Sequence, residues 1–180
     1  MVYMLLGTGF EETEAIAPLD LLRRAGVSVL TVGVNGATVF GGRNIGIQAD
    51  ISLEEMDLTD LEMIILPGGL GGVSSVRASK PAMEALRFAW ENDKFVAAIC
   101  AGPTVLADLG ITENKNATCY PGYESGMGSA IVDAAAPCVR DGKLITGASA
   151  GCAIPFGLEL IRALKGDDIA NTVRQQIVIR

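Results

Sequence analysis

The fold is decided by the stretch Phe95-Val96-Ala97-Ala98-Ile99-Cys100-Ala101-Gly102-Pro103-Thr104. Its first five residues are apolar and have the length of a buried strand, and Cys100 ends the run. The small residues after the cysteine suit a tight corner, and Pro103 suits the first turn of a helix. The pattern therefore predicts a strand, a sharp turn and a helix, with the Cys100 side chain raised above the sheet as in a nucleophile elbow.

Cys100 has two interpretations on this local pattern. In the first, backbone N–H groups and the positive end of the following helix face the sulfur and favour its thiolate form. In the second, Cys100 is a small buried hydrophobic residue, as free cysteines commonly are. The local pattern leaves both open.

The composition bounds the class of protein. The chain has 180 residues, a length that predicts one domain over residues 1–180. Acidic residues outnumber basic ones 21 to 14 without a basic cluster, which argues against nucleic acid and anionic membranes as partners. No apolar run approaches the roughly 18 residues of a membrane span, and the N-terminus has no signal-peptide pattern. We therefore expect a cytoplasmic protein.

The chain contains no histidine. This excludes Ser-His-Asp triads, Cys-His dyads and histidine-based zinc sites within one chain. The four cysteines form no C-x-x-C pair and are expected to be free thiols in a reducing compartment. Catalysis would have to use carboxylates, thiols, hydroxyls, lysines or backbone amides, and we expect no metal and no organic cofactor.

Apolar strands alternate with helical segments along the chain, which predicts an α/β fold with a doubly wound parallel sheet. Strands are predicted over residues 2–6, 27–33, 63–66, 95–99 and 116–120, helices over 13–25, 79–92 and 167–175, and glycine-rich loops at 67–72 and 147–151. Pro18 suggests that the first helix begins close to Glu14. In such a sheet the loops at the carboxyl ends of the strands form the ligand site, which brings Glu14 near Cys100.

Two charged features have alternative interpretations. Glu14, with Glu11 and Glu12, lies beside the end of the first strand, but acids there also simply complement a helix N-terminus. Arg43, in a glycine-rich loop, could hold an anion or be an ordinary solvated surface side chain.

Taken together, four blocks of sequence resemble the ThiJ/PfpI superfamily, in the branch of the Parkinsonism-associated deglycase and its bacterial relatives. The blocks are residues 9–14, 18–26, 66–69 and 97–104, and the resemblance covers essentially the whole chain. It implies a flavodoxin-like, three-layer α/β/α sandwich with a mostly parallel central sheet, usually as a homodimer.

The resemblance also implies roles for individual residues. Cys100 matches the family's oxidation-sensitive nucleophile, and Glu14 matches the carboxyl that hydrogen-bonds it. Gly69 and Ala101 match the positions whose amides point at a bound oxyanion, and Arg43 falls near an arginine associated with anion binding at the pocket mouth. In two departures, Tyr120 stands where relatives often carry histidine, and Ala148 stands where they carry a second anion-binding arginine.

Three functions are compatible with these residues. The first is a cysteine-dependent enzyme acting on small reactive carbonyls, of the glutathione-independent glyoxalase or deglycase type, with Glu14 relaying protons to and from Cys100. The second is an oxidation-sensing or stress-protective protein in which Cys100 forms a sulfinate without turnover. The third is a binding module for small anions that uses Arg43.

Overall fold

The computed structural model describes residues 1–179. Eleven strands and six α-helices are assigned in this part of the chain: β1 (Val2–Leu6), α1 (Glu12–Arg24), β2 (Val29–Gly33), β3 (Thr38–Phe40), β4 (Gly46–Gln48), β5 (Ile51–Ser52), β6 (Met63–Leu66), α2 (Leu70–Ala78), α3 (Lys80–Glu91), β7 (Phe95–Ile99), α4 (Pro103–Asp108), β8 (Asn116–Ala117), β9 (Ile131–Val132), β10 (Cys138–Asp141), β11 (Leu144–Gly147), α5 (Ala153–Lys165) and α6 (Asp167–Gln176).

Seven strands form the central sheet in the order β10-β11-β7-β6-β1-β2-β5. Only β10, which forms a hairpin with β11, runs antiparallel to its neighbour. The predicted mostly parallel, flavodoxin-like α/β fold is therefore confirmed. Since β7 lies between β6 and β11, the Cys100 elbow at its carboxyl end is flanked by the ends of two further parallel strands.

The sheet separates two apolar cores, because side chains along a strand alternate between its faces. Val2, Met4 and Leu6 of β1 belong to one core, and Tyr3 and Leu5 belong to the other. Helices α1, α5 and α6 cover the first core, while α2, α3 and α4 cover the second. This arrangement is the predicted three-layer sandwich.

The glycine-rich segment after β6 differs from its prediction as a loop over residues 67–72. Gly71 and Gly72 lie inside α2, which the sequence analysis missed. A Cβ atom at Gly72 would lie 2.7 Å from Phe10 Cα, and one at Gly71 would lie 3.0 Å from Gly9 Cα. These glycines therefore allow two backbones to approach closely, a requirement that local propensity does not reveal.

Two predicted boundaries are also wrong. Helix α1 begins at Glu12, before the expected start near Glu14, because the Glu11 side chain caps it by accepting the Glu14 N–H at 2.8 Å. The strand predicted over residues 116–120 is confined to β8, which pairs with β9 outside the central sheet. After β8 the chain runs beside β11, where the Thr118 N–H donates to Thr146 Oγ1 at 2.8 Å.

Candidate active site

Cys100 occupies the corner between β7 and α4 with a φ angle of +65°. This left-handed conformation is unfavourable for a residue with a side chain, and three backbone hydrogen bonds hold it there. Cys100 N–H donates to Gly147 O, Gly102 N–H donates to Ile99 O, and Tyr120 N–H donates to Cys100 O, each at 2.9 Å. The predicted strand–turn–helix elbow is present, and its corner is anchored to the neighbouring strand and loop.

Glu14 lies in the first turn of α1 with only 1% of its surface exposed. Its Oε2 accepts the Gly68 N–H at 2.9 Å, while Oε1 is buried without a hydrogen bond of regular geometry in the described chain. Burial raises the pKa of Glu14 to about 7, and the negative charge of Glu11 acts in the same direction. Hydrogen bonds from the adjacent Cys100 thiol and the Gly68 amide lower the pKa but do not outweigh burial. The carboxyl therefore titrates near neutral pH.

Burial and the neighbouring Glu14 also set the pKa of the Cys100 thiol. Burial, followed by the charge and hydrogen bonding of Glu14, raises the pKa of Cys100 to about 12. The amides of Ala101 and Gly69 act in the opposite direction, as the sequence analysis expected, but they do not outweigh burial and Glu14. Thiol and carboxyl thus behave as a coupled pair that loses a first proton near neutral pH and keeps the second to high pH.

The backbone N–H groups of Gly69 and Ala101 both hydrogen-bond the Cys100 sulfur. Gly69 precedes α2 with a φ angle of +85°, and a Cβ atom there would lie 2.7 Å from the carbonyl carbon of Phe10. Glycine is therefore required at this position both for its conformation and for space. Two converging amides can stabilise negative charge on an oxygen bound at the sulfur.

The two amides belong to helices that are tied together. Arg77, near the end of α2, donates from Nη2 to Thr104 Oγ1 at 2.7 Å and pairs through Nε with Asp108 at 2.6 Å. The Thr104 hydroxyl in turn donates to Ala101 O at 2.7 Å. This chain of contacts joins α2, which follows Gly69, to α4, which follows Ala101.

The Cys100 thiol opens into a cavity of about 240 Å³. Its lining consists of Gly69, Leu70, Cys100, Ala101, Tyr120 and Tyr123. The rings of Tyr120 and Tyr123 pack edge to face with their centroids 6.0 Å apart. Sequence reasoning singled out Tyr120 but not Leu70 or Tyr123, because no motif marks them. The available signal was that Leu70 lies within the loop predicted over residues 67–72 and that Tyr123 follows Tyr120 closely.

Three residues singled out from the sequence, Glu14, Arg43 and Ala148, lie outside this lining, although Glu14 is adjacent to Cys100. The Arg43 N–H donates to the Glu12 carboxylate at 2.6 Å, and its guanidinium contacts Gly42 O at 3.4 Å. Ala148 is buried after β11, where its N–H donates to Pro137 O at 3.1 Å. The structure thus brings together Cys100, Glu14, Gly69, Ala101 and Tyr120, and it does not place Arg43 in the cavity.

Within residues 1–179, no three His, Cys, Asp or Glu side chains are grouped in a way that could hold a metal ion. None of the helices described there has the length and apolar character needed to cross a membrane.

Comparison with known proteins agrees with the fold. The sequence profile of the DJ-1/PfpI family matches residues 1–163. DJ-1beta of Drosophila melanogaster is 35% identical over 179 residues, covering 98% of this chain and 95% of the relative. A deglycase of Pyrococcus abyssi is 29% identical, covering 91% and 99%. The crystal structure of Drosophila DJ-1beta superposes with a TM-score of 0.93 at 34% identity, covering 99% of this chain and 97% of that one.

Proposed function

This chain belongs to the DJ-1/PfpI family, and on that basis we propose that it is a cysteine-dependent enzyme acting on small reactive carbonyl compounds. The proposed type is a glutathione-independent glyoxalase or a deglycase, with Cys100 as nucleophile and Glu14 as proton relay. The observation that carries the proposal is the buried Glu14 carboxyl beside the Cys100 thiol, with its pKa raised to about 7. A group that titrates near neutral pH can both accept and return a proton there.

In the first step, the Cys100 sulfur attacks the aldehyde carbon of a 2-oxoaldehyde such as methylglyoxal. Because the raised pKa of the thiol keeps it protonated, its proton moves to the Glu14 carboxylate as the carbon–sulfur bond forms. The amides of Gly69 and Ala101 stabilise the resulting oxyanion, and removing such a donor costs about 3–4 kcal/mol in other enzymes. Glu14 then returns the proton to this oxygen, which gives a hemithioacetal.

In the second step, Glu14 takes the proton from the former aldehyde carbon and delivers it to the neighbouring ketone oxygen, so that an enediol forms. The enediol then loses the proton of the hydroxyl on the carbon bound to sulfur, and the former ketone carbon gains a proton. This leaves a 2-hydroxyacyl thioester on Cys100. Water hydrolyses the thioester and restores the thiol. The net reaction adds one water to the oxoaldehyde and needs no external oxidant or reductant. A deglycase would use the same thiol and carboxyl on an early glycation adduct.

The test is methylglyoxal consumption measured from pH 5 to 9. We expect the rate to rise with pH around a midpoint near 7, because the carboxylate form of Glu14 accepts the thiol proton. Cys100→Ser should lose this activity, whereas Cys152→Ser, at a half-buried thiol outside the cavity, should keep it. Unchanged consumption in Cys100→Ser would contradict the proposal.

Oxidation sensing is the second candidate, and the same protonated carboxyl favours it. Below its raised pKa, Glu14 can donate a hydrogen bond to an oxygen added to Cys100, which would stabilise a sulfinate. Mild hydrogen peroxide followed by peptide mass mapping should then add two oxygens at Cys100 alone. Oxidation spread evenly over the four cysteines would count against this role.

We also propose that the chain forms one domain over residues 1–180, assembles as a homodimer, resides in the cytoplasm and binds anions at Arg43. An apolar groove of about 640 Å³ along α1, where Ile16 is exposed, supports an association between copies, which sedimentation equilibrium would test. A thermal shift with phosphate that disappears in Arg43→Ala would support the anion site.

A further inference from the structure

The side chains around the Cys100 cavity are apolar and aromatic, and two of them are exposed. Leu70 is 64% exposed and Tyr120 is 44% exposed, although both border the half-buried nucleophile. Apolar side chains that remain exposed around a concave site are typical of surfaces that bind a ligand. With Tyr123, they form a wall that offers ring faces and edges, together with phenolic hydroxyls.

The charges near the cavity are negative. No lining residue in the described chain carries a charge, and the charged groups that act on the thiol and its partner are the carboxylates Glu14 and Glu11. The Arg43 guanidinium contacts its own loop at Gly42 O and is not part of the lining. A carboxylate-bearing ligand would therefore find no cationic partner, and it would lose part of its hydration on entering.

We infer that the Cys100 cavity selects uncharged 2-oxoaldehydes that carry an aromatic or other flat apolar group, and that it discriminates against carbonyl compounds that carry a carboxylate. This inference rests on the proposed function for the reaction itself. The aldehyde end lies at the sulfur between the amides of Gly69 and Ala101, and the apolar group packs against Leu70, Tyr120 and Tyr123. The two tyrosines are thereby specificity-determining residues.

The first experiment tests selection without requiring turnover. Cys100 is alkylated with iodoacetamide in the presence of either acetophenone or benzoate, which share a ring and differ in charge, and the modified peptide is quantified by mass mapping. We expect acetophenone to protect Cys100 at concentrations about three- to tenfold lower than benzoate does, because the carboxylate loses hydration without gaining a cationic partner. Tyr120→Ala should raise the acetophenone concentration needed for protection about three- to tenfold, the range expected for an aromatic contact. Phe88→Ala, at an exposed ring on α3, should leave that concentration unchanged.

The second experiment compares kcat/KM for phenylglyoxal, methylglyoxal and 4-carboxyphenylglyoxal, which are all 2-oxoaldehydes. We expect phenylglyoxal to exceed methylglyoxal, with this ratio falling about threefold or more in Tyr120→Ala, and 4-carboxyphenylglyoxal to react more slowly than phenylglyoxal. If no aldehyde is consumed but acetophenone still protects selectively, the enzymatic function fails and the selectivity of the cavity stands. If benzoate protects equally, or 4-carboxyphenylglyoxal reacts as well as phenylglyoxal, the selectivity is refuted whether or not the enzyme turns over.

Discussion

Replacing Glu14 with glutamine should stabilise the protein at alkaline pH and abolish its proposed activity. The folded state raises the pKa of Glu14 from an ordinary 4.5 to about 7, because the carboxyl is buried. A tenfold change in a protonation equilibrium is worth about 1.4 kcal/mol, so this rise corresponds to about 3 kcal/mol. Glutamine keeps an oxygen that can accept the Gly68 N–H, and it carries no charge to desolvate.

The sign follows from the direction of the pKa change. As pH rises from 4.5 to 7, the unfolded chain releases the Glu14 proton while the folded chain keeps it, so the wild-type protein loses stability across this window. Above about pH 7 the loss reaches its full value. Glu14→Gln removes the titration, so its stability relative to wild type should increase with pH.

Urea unfolding of both proteins at pH 4 and pH 8 measures this effect. The difference in free energy of unfolding between variant and wild type should shift in favour of the variant by about 3 kcal/mol from pH 4 to pH 8. Glu91→Gln, at an exposed position that ends α3, should show no comparable shift. A difference that stays constant with pH would refute the buried, neutral carboxyl and with it the proton relay. If the variant is more stable but inactive, the wild-type protein keeps a destabilising carboxyl at Glu14 because its activity requires it.

Two further substitutions test the geometry around the pair. In Gly68→Ala the new Cβ would collide with the Glu14 carboxyl, so urea unfolding should show a loss of about 1–3 kcal/mol in stability and methylglyoxal consumption should fall. In the control Gly151→Ala, the nearest neighbour of the new Cβ is 3.9 Å away, and stability should change by less than about 0.5 kcal/mol. Equal effects of the two substitutions would contradict the packing. Arg77→Met removes the link between α2 and α4, and urea unfolding should show a loss of about 1–2 kcal/mol in stability. The control Arg87→Met, at an exposed position, should change stability by no more than about 0.5 kcal/mol. An unchanged stability in Arg77→Met would show that the link is dispensable.

Much of the site could be predicted before the structure because its parts are local. An apolar strand that ends at Cys100, followed by small residues and Pro103, encodes the elbow through rules of backbone conformation alone. The rule that ligand sites lie at the carboxyl edge of a parallel sheet then placed Glu14 and Gly69 beside it. The helical state of Gly71 and Gly72 was missed because glycine disfavours a helix locally, and the reason for glycine at Gly72 is the backbone of Phe10, which lies about sixty residues earlier in the chain.

The sequence by itself determined the α/β class, the family and the position of the strand–turn–helix corner at Cys100, because apolar periodicity, glycine and proline act over a few residues. Tertiary structure decided how that corner titrates and what surrounds it. The pKa of Cys100 reflects a balance between burial and Glu14 on one side and the amides of Ala101 and Gly69 on the other, so it depends on the packing of distant segments. The aromatic wall of Tyr120 and Tyr123 likewise faces the thiol only because the segment after β8 folds back over the end of β7.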